Sequence, residues 1–259
     1  MSAPIYLETS GHFAEIVLNK PEKRNALSID TWARLPGFIK DAESNNGVKV
    51  IIIHGGKSGA FAAGADISEF EEIYATSESA AASGRVMGNA MAAVENCAKP
   101  VLAAIEGPCV GGGVSLAMCA DIRIAAETAK FGVTPAKLGL VYPAADTRRL
   151  MQCIGISKTK DLLFTGRIFP ADEALSMGLV DRLSSSGKAL SDARNFGDEI
   201  AAVSQWSNRA IKQMIKGLQS GWSDDSAEAM TLFTDGFGNS DFEEGRKAFL
   251  EKRHAKFTL

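Results

Sequence analysis

The chain has 259 residues, 46% of them apolar and 23% charged, an ordinary globular balance that suits one large domain, alone or with a small appendage. A net charge of −3 gives no bulk electrostatic reason to expect nucleic acid as a partner, although residues 251–256 form a local basic cluster. No apolar run approaches the roughly 20 residues that span a bilayer, and no basic segment followed by an apolar one opens the chain, so no membrane partner is expected and the cytoplasm is the expected location.

In chain order, residues 5–10 and 12–18 alternate apolar and polar side chains around Gly11, which predicts a β-hairpin. Residues 28–43 predict a helix capped by Ser28 and bent or interrupted by Pro36. The β-branched run 48–54 reads as a strand covered on both faces and ends at Gly55-Gly56. Residues 78–97 are Ala-rich and helical. A second apolar strand is expected at 101–105, a glycine-rich turn at 107–113, a helix at 114–119 and a third buried strand at 121–126. This alternation of strands and helices is an α/β signature, with a weak β-β-α recurrence. After about residue 186 only helical patterns follow, at 188–204, 207–219, 224–235 and 241–256. Two regions are therefore expected: an α/β core over 1–186 and a helical section over 187–259. Cys97, Cys109, Cys119 and Cys153 have small or apolar neighbours and form no CxxC pair, so they read as reduced core cysteines, and no metal site is expected.

Two segments carry chemistry. The first is FAAGADI at 61–67, the second GPCVGGGVS at 107–115, each just after a strand. Both place small residues where a ligand must approach the main chain, and the second sets free N–H groups at a helix start, where partial positive charge attracts an oxyanion. Either alone is also compatible with a tight, closely packed strand-to-helix turn. Nucleotide motifs do not fit: Gly56-Lys57-Ser58 ends like a phosphate-binding loop, but Ile51 stands where its first Gly belongs, and 107–113 is not GxGxxG. His54 reads as a satisfied strand-end histidine rather than a catalyst.

The stretch NKPEKRNAL at 19–27 resembles the N-terminal signature of the enoyl-CoA hydratase/isomerase (crotonase) superfamily. FAAGADI resembles that family's first oxyanion-hole segment and GPCVGGGVSLAMCADIRIA at 107–125 its second; TGRIFPADEALSMGLVDRL at 165–183 and EGRKAFLEKRHAKF at 244–257 match later segments. The similarity runs in order over almost the whole chain. It implies an α/β fold, a spiral of ββα units with a helical C-terminal trimerisation region, as a homotrimer or a hexamer. It further implies an acyl-CoA substrate, no cofactor besides the coenzyme A thioester, and an oxyanion hole made by the backbone N–H groups of Ala65 and Gly112. Such donors stabilise charge that gathers on the thioester oxygen. By the same resemblance Ala63, Asp66 and Ile67 lie in the segment that holds adenine, Lys23, Arg24 and Ala26 lie along the nucleotide, and Phe249 and Lys252 close the site from a neighbouring subunit.

Typical hydratases of this family place glutamates where this chain has Ser115 and Pro135, neither of which does a carboxylate's acid–base work. The run 134–142 resembles the matching stretch of methylmalonyl-CoA decarboxylases, with a tyrosine at Tyr142, although those have His at the position of Ala65. Asp146 is the nearest acid. It shares a face with Tyr142 if 143–150 is helical, or it pairs with Arg149. The expectation is therefore an enzyme of hydratase/isomerase type, with decarboxylation of a malonyl-type thioester, or a non-catalytic acyl-CoA-binding scaffold, as alternatives. Fatty-acid metabolism is the expected setting.

Overall fold

The computed structural model describes residues 3–257. The chain opens with β1 (Ile5–Ser10) and β2 (Phe13–Leu18), an antiparallel hairpin whose turn uses Gly11 at φ +59°. Then come α1 (Ile29–Ser44), β3 (Val50–His54), the short α2 (Phe70–Ile73), α3 (Ser77–Asn96), β4 (Val101–Ile105), β5 (Pro108–Val110), α4 (Gly112–Met118), β6 (Ile122–Ala126) and β7 (Lys130–Gly132). The chain continues with α5 (Ala144–Thr165), β8 (Ile168–Pro170), α6 (Ala171–Met177), β9 (Arg182–Ser184), α7 (Ala189–Ala201), α8 (Gln205–Gln219), α9 (Ala227–Asp235) and α10 (Ser240–Leu250).

Six strands form one sheet in the order β1-β2-β3-β4-β6-β9, parallel beyond the opening hairpin. A smaller, separate sheet has the order β5-β7-β8, with β5 and β7 parallel and β7 and β8 antiparallel. The continuous apolar runs now have their reason. Ile51, Ile53, Val101, Ala103 and Ile105 face the main core with α1 and α3, while Val50, Ile52, Leu102 and Ala104 face a second core under α7. Strands covered on both sides need apolar residues at every position. The mixed α/β architecture is the expected one.

Helix α1 is capped by Ser28, whose hydroxyl accepts the Thr31 N–H at 3.3 Å. It runs through Pro36 without a break, because Trp32 and Leu35 before it and Ile39 and Ala42 after it are all buried on one stripe. The predicted turn at 107–113 contains β5, and α4 begins at Gly112 rather than at 114. The predicted helix at 241–256 stops at Leu250, after which Lys252 turns at φ +52°. α5 breaks at Gly155, φ +77°. The four cysteines are free, and all but Cys153 are buried. Among the described residues no helix is long and apolar enough to cross a membrane.

Candidate active site

Three segments distant in sequence are stitched into one cradle. Arg24 and Asn25 adopt left-handed backbone at φ +49° and +56°, a conformation that Asn tolerates better than most residues. The buried Asn25 amide donates to the carbonyls of Gly55 at 3.0 Å and Ala60 at 2.9 Å, and its oxygen accepts the Lys20 N–H at 2.8 Å. From this turn the Arg24 carbonyl accepts the Ala63 N–H at 3.0 Å, and Leu27 and Ala65 form a parallel bridge. A second parallel bridge joins Ala62 to Cys109. Residues 60–66 thus lie between 24–27 and 106–110. Asn25 stands in the signature at 19–27, but its role there had no local signal besides its tolerance of positive φ.

The bridge geometry decides where the Ala65 N–H points. Leu27 N donates to Gly64 O at 2.8 Å and Asp66 N donates to Leu27 O at 3.0 Å. The two hydrogen bonds flank Ala65, so its own N–H faces away from Leu27. Gly112 is the first residue of α4, where an N–H has no partner inside the helix. A Cβ built on Gly112 lies 3.9 Å from Ala65 N, with Trp32 and Leu27 as its other neighbours. Gly113 is pressed against Ala62, which a Cβ would meet at 2.5 Å from the carbonyl oxygen. The two small-residue segments are brought together at backbone contact distance.

Asp66 acts through its side chain as well as its backbone. Its buried carboxylate accepts Lys20 Nζ at 2.6 Å, Lys23 Nζ at 2.9 Å and the Ser68 hydroxyl at 2.6 Å. Burial works to raise its pKa, but these hydrogen bonds outweigh it and hold the carboxyl well below the usual range. Lys23 is therefore anchored at the mouth of the cradle, also touching Ser68 Oγ at 2.8 Å. Arg24 and Ile67 are exposed beside it, and Ala26 and Ala63 are half-buried. Phe249, on α10, is 83% exposed, and Lys252 follows that helix. Among the described residues no hydrogen bond or ion pair joins either of them to the cradle within one chain.

Beneath α4 lies a buried polar cluster. Ser115, one helical turn after Gly112 and on the same face, is 2.6 Å from the Tyr142 hydroxyl and 3.2 Å from Asp146 Oδ2. Arg149 Nη1 donates to Asp146 Oδ1 at 2.8 Å, and its Nη2 donates to Glu95 Oε2 on α3 at 2.7 Å. Asp146 thus pairs with Arg149, one of the two partners read from its spacing; Tyr142 lies before the start of α5, shares no helical face with it and meets it only through Ser115. Burial raises the Asp146 pKa, opposed by the Arg149 charge and the Ser115 hydrogen bond. Burial, then the Asp146 charge, pushes the Tyr142 hydroxyl far above its ordinary range. Ser115, Tyr142 and Asp146 are 3%, 8% and 2% exposed. Glu95 was not legible as a member, since it sits on a helix half a hundred residues earlier in sequence. Pro135 opens a short 3-10 turn, Pro135–Leu138.

His54 is structural. Its Nδ1 accepts the Gly56 N–H at 3.1 Å, and its Nε2 lies 3.3 Å from the buried Glu15 carboxylate, off the hydrogen-bonding line.

Comparison with known proteins places this chain among relatives. The family model described as enoyl-CoA hydratase/isomerase matches residues 8–259. A crotonyl-CoA hydratase from Syntrophomonas wolfei is 34% identical, with 98% of this chain and 97% of that protein covered. A crystal structure of an enoyl-CoA hydratase/isomerase family protein from Hyphomonas neptunium superposes with a TM-score of 0.97 at 64% identity, covering 98% and 97% of the two chains. An enoyl-CoA hydratase/carnitine racemase structure from Magnetospirillum magneticum gives 0.95 at 34% identity, covering 100% and 96%.

Proposed function

The chain belongs to the enoyl-CoA hydratase/isomerase family, and from that premise we propose that it binds an acyl-CoA and stabilises the thioester enolate between the N–H groups of Ala65 and Gly112. The observation that carries the reading is the approach of Gly112 to the Ala65 nitrogen, with both N–H groups left over by the bonds around them. Two fixed donors in a site walled by Trp32 and Leu27 suit an oxygen that gains negative charge when a proton leaves the α-carbon. In this reading the segment 63–67, with Lys23, Arg24 and Ala26, holds the nucleotide end of coenzyme A, and no other cofactor is called for.

In this reading proton handling falls to Ser115, Tyr142 and Asp146, because the resemblance sets Ser115 and Pro135 at the places of the family's two glutamates. Asp146 is the one carboxylate among the three and the acceptor at the end of their hydrogen-bond chain. Hydration of crotonyl-CoA by a glutamate pair is therefore expected to be slow, and proton transfer of the isomerase kind is favoured. The Tyr142 hydroxyl is taken up by Ser115 at 2.6 Å, which speaks less for a decarboxylase that needs it to hold a substrate carboxylate.

The test is a pair of substitutions at one residue, assayed on crotonyl-CoA, a 3-enoyl-CoA and methylmalonyl-CoA. Proline is compatible with the first position of a helix, so Gly112→Pro removes the donor while α4 persists. Gly112→Ala keeps the donor, and its Cβ makes only ordinary contact with Trp32 at 3.4 Å. We expect the proline variant to lose roughly 10²–10³-fold in kcat and the alanine variant to lose far less. Equal activity in the folded proline variant rejects the oxyanion assignment, and coenzyme A binding without turnover of any substrate turns the reading toward a scaffold.

A further inference from the structure

We infer that Arg149 and Glu95 are positioning residues for the reaction: Arg149 holds the Asp146 carboxylate against Ser115, and Glu95, on a different helix, holds Arg149. The inference rests on the proposed role of Asp146 and adds the two groups behind it.

The hydrogen-bond directions follow from counting protons. Ionised Asp146 only accepts, taking Arg149 Nη1 on Oδ1 and the Ser115 hydroxyl on Oδ2. Ser115 has one proton. Once that is given to Asp146, the 2.6 Å contact with Tyr142 must be a bond donated by the tyrosine. The hydroxyls then present lone pairs to whatever lies above them. A proton taken from a substrate carbon passes along the chain and rests on Asp146, while the electron pair of the broken C–H bond moves to the thioester oxygen. With Asp146 protonated every bond reverses, and Tyr142 becomes a donor able to return the proton to carbon. A second contact, from Ser115 Oγ to the Gly111 carbonyl at 3.4 Å, is longer and leaves the sequence of donors unchanged.

Both forms require Asp146 to keep its place, and one oxygen is fixed by Arg149 alone. The Arg149 fork spans two carboxylates, Asp146 on its own helix and Glu95 on α3, and the guanidinium is buried. Burial disfavours its charge, but the Glu95 hydrogen bond and the two carboxylates keep it cationic. The groups facing Asp146 are Arg149 on its own helix, Ser115 on α4, Cys119 just after α4, Glu95 on α3, and Tyr142 before α5. The Cys119 thiol is pushed up to about 12 by burial and stays neutral. Arg149 and Glu95 are therefore the charges that decide how easily Asp146 ionises. Arg149 favours the carboxylate and Glu95 opposes it.

The experiment reads these opposite signs. Glu95→Gln keeps an acceptor for Arg149 and removes one negative charge; Glu95 is half-exposed, so the variant folds. Arg149→Lys keeps a charge but loses the fork that reaches both carboxylates. The ionisation of Asp146 is followed by carbon NMR of protein labelled at aspartate carboxyls, with Asp146→Asn identifying the signal, and kcat/KM is followed against pH with a 3-enoyl-CoA. We expect Glu95→Gln to move both midpoints to lower pH by about half a unit or more and Arg149→Lys to move both to higher pH. A role confined to folding moves stability but neither midpoint. Unmoved NMR midpoints, or NMR midpoints that move while the activity profile stays, overturn the inference and leave the acyl-CoA reading standing. A wild-type protein that turns over no acyl-CoA overturns both.

Discussion

A methyl group added at Gly113 meets the Ala62 carbonyl oxygen at 2.5 Å and the Ala62 Cβ at 3.0 Å, whereas the same group at Gly112 finds only ordinary contacts from 3.4 Å outward. Gly113 is the point at which α4 is pressed onto the 60–66 segment. Gly113→Ala must push the two apart, so it is expected to destabilise the fold by about 1–3 kcal/mol and to separate the Ala65 and Gly112 donors. Thermal melts of the two alanine variants side by side check this, with Gly112→Ala close to wild type. Tyr142→Phe removes the donor that satisfies Ser115 while keeping the packed ring. We expect at least a tenfold fall in turnover of the best substrate with little change in coenzyme A affinity, since general acid–base help typically supplies 10² or more. Fast crotonyl-CoA hydration that survives this substitution refutes the assignment of proton transfer to this cluster. At this scale the sequence made Ala65, Gly112 and Ser115 legible because they lie inside contiguous motifs. Asn25 and Glu95 were not, because an amide that ties 25 to 55 and 60, and a carboxylate that braces 149 from 95, act across distances that no local pattern encodes.

Helix α7 is held to the sheet by charge as well as by the second core. Arg194 donates to both oxygens of the buried Glu15 on β2, at 2.7 Å each, and His54 on β3 lies on the other side. Burial alone raises the Glu15 pKa, but the nearby His54 ring and the two hydrogen bonds from Arg194 bring it from the ordinary 4.5 down to about 2. A carboxyl with a depressed folded pKa stabilises the protein fully above its unfolded value and loses that contribution as pH falls through the folded one. The window is therefore pH 4.5 to about 2, and the loss is on the order of 3 kcal/mol. In denaturant titrations, Glu15→Gln is expected to be less stable at neutral pH and to lose less stability than wild type across that window; parallel curves count against the pairing. Most elements were legible from periodicity and caps, as Ser28 and the two-faced strand β3 illustrate. The exceptions are β7, α5, β8, α6 and β9, which no pattern in the sequence predicted, and elements whose boundaries are set from outside. β5 exists because it pairs with β7 and bridges to Ala62. The start of α4 is drawn back to Gly112 by packing on Ala62, and α10 ends at Leu250 although its helical composition runs on.

At the scale of the whole molecule, α8–α10 leave large apolar side chains uncovered. Ile211 and Ile215 on α8, Phe233 on α9, Phe237 in the turn after it and Phe249 on α10 are all more than half exposed. Scattered apolar residues are normal on a surface, but a run of them on consecutive helices is the kind of patch that assembly would cover. We expect a homotrimer, or a pair of trimers, in sedimentation at micromolar concentration, and Phe237→Asp to shift the protein toward the monomer. A wild-type monomer rejects the assembly. If Phe249 and Lys252 close a neighbour's site, the dissociated variant also loses coenzyme A affinity. The parallel bridges Leu27 to Ala65 and Ala62 to Cys109 have a consequence in time. The backbone N–H groups of Ala65 and Gly112 meet only after long stretches of chain have closed into loops, and such contacts form late because their entropy cost precedes their reward. Helices α1 and α3 can form earlier from local contacts. In a refolding experiment, the capacity to bind an acyl-CoA should return more slowly than helical circular dichroism, so that the last structure the chain acquires is the one with which it works.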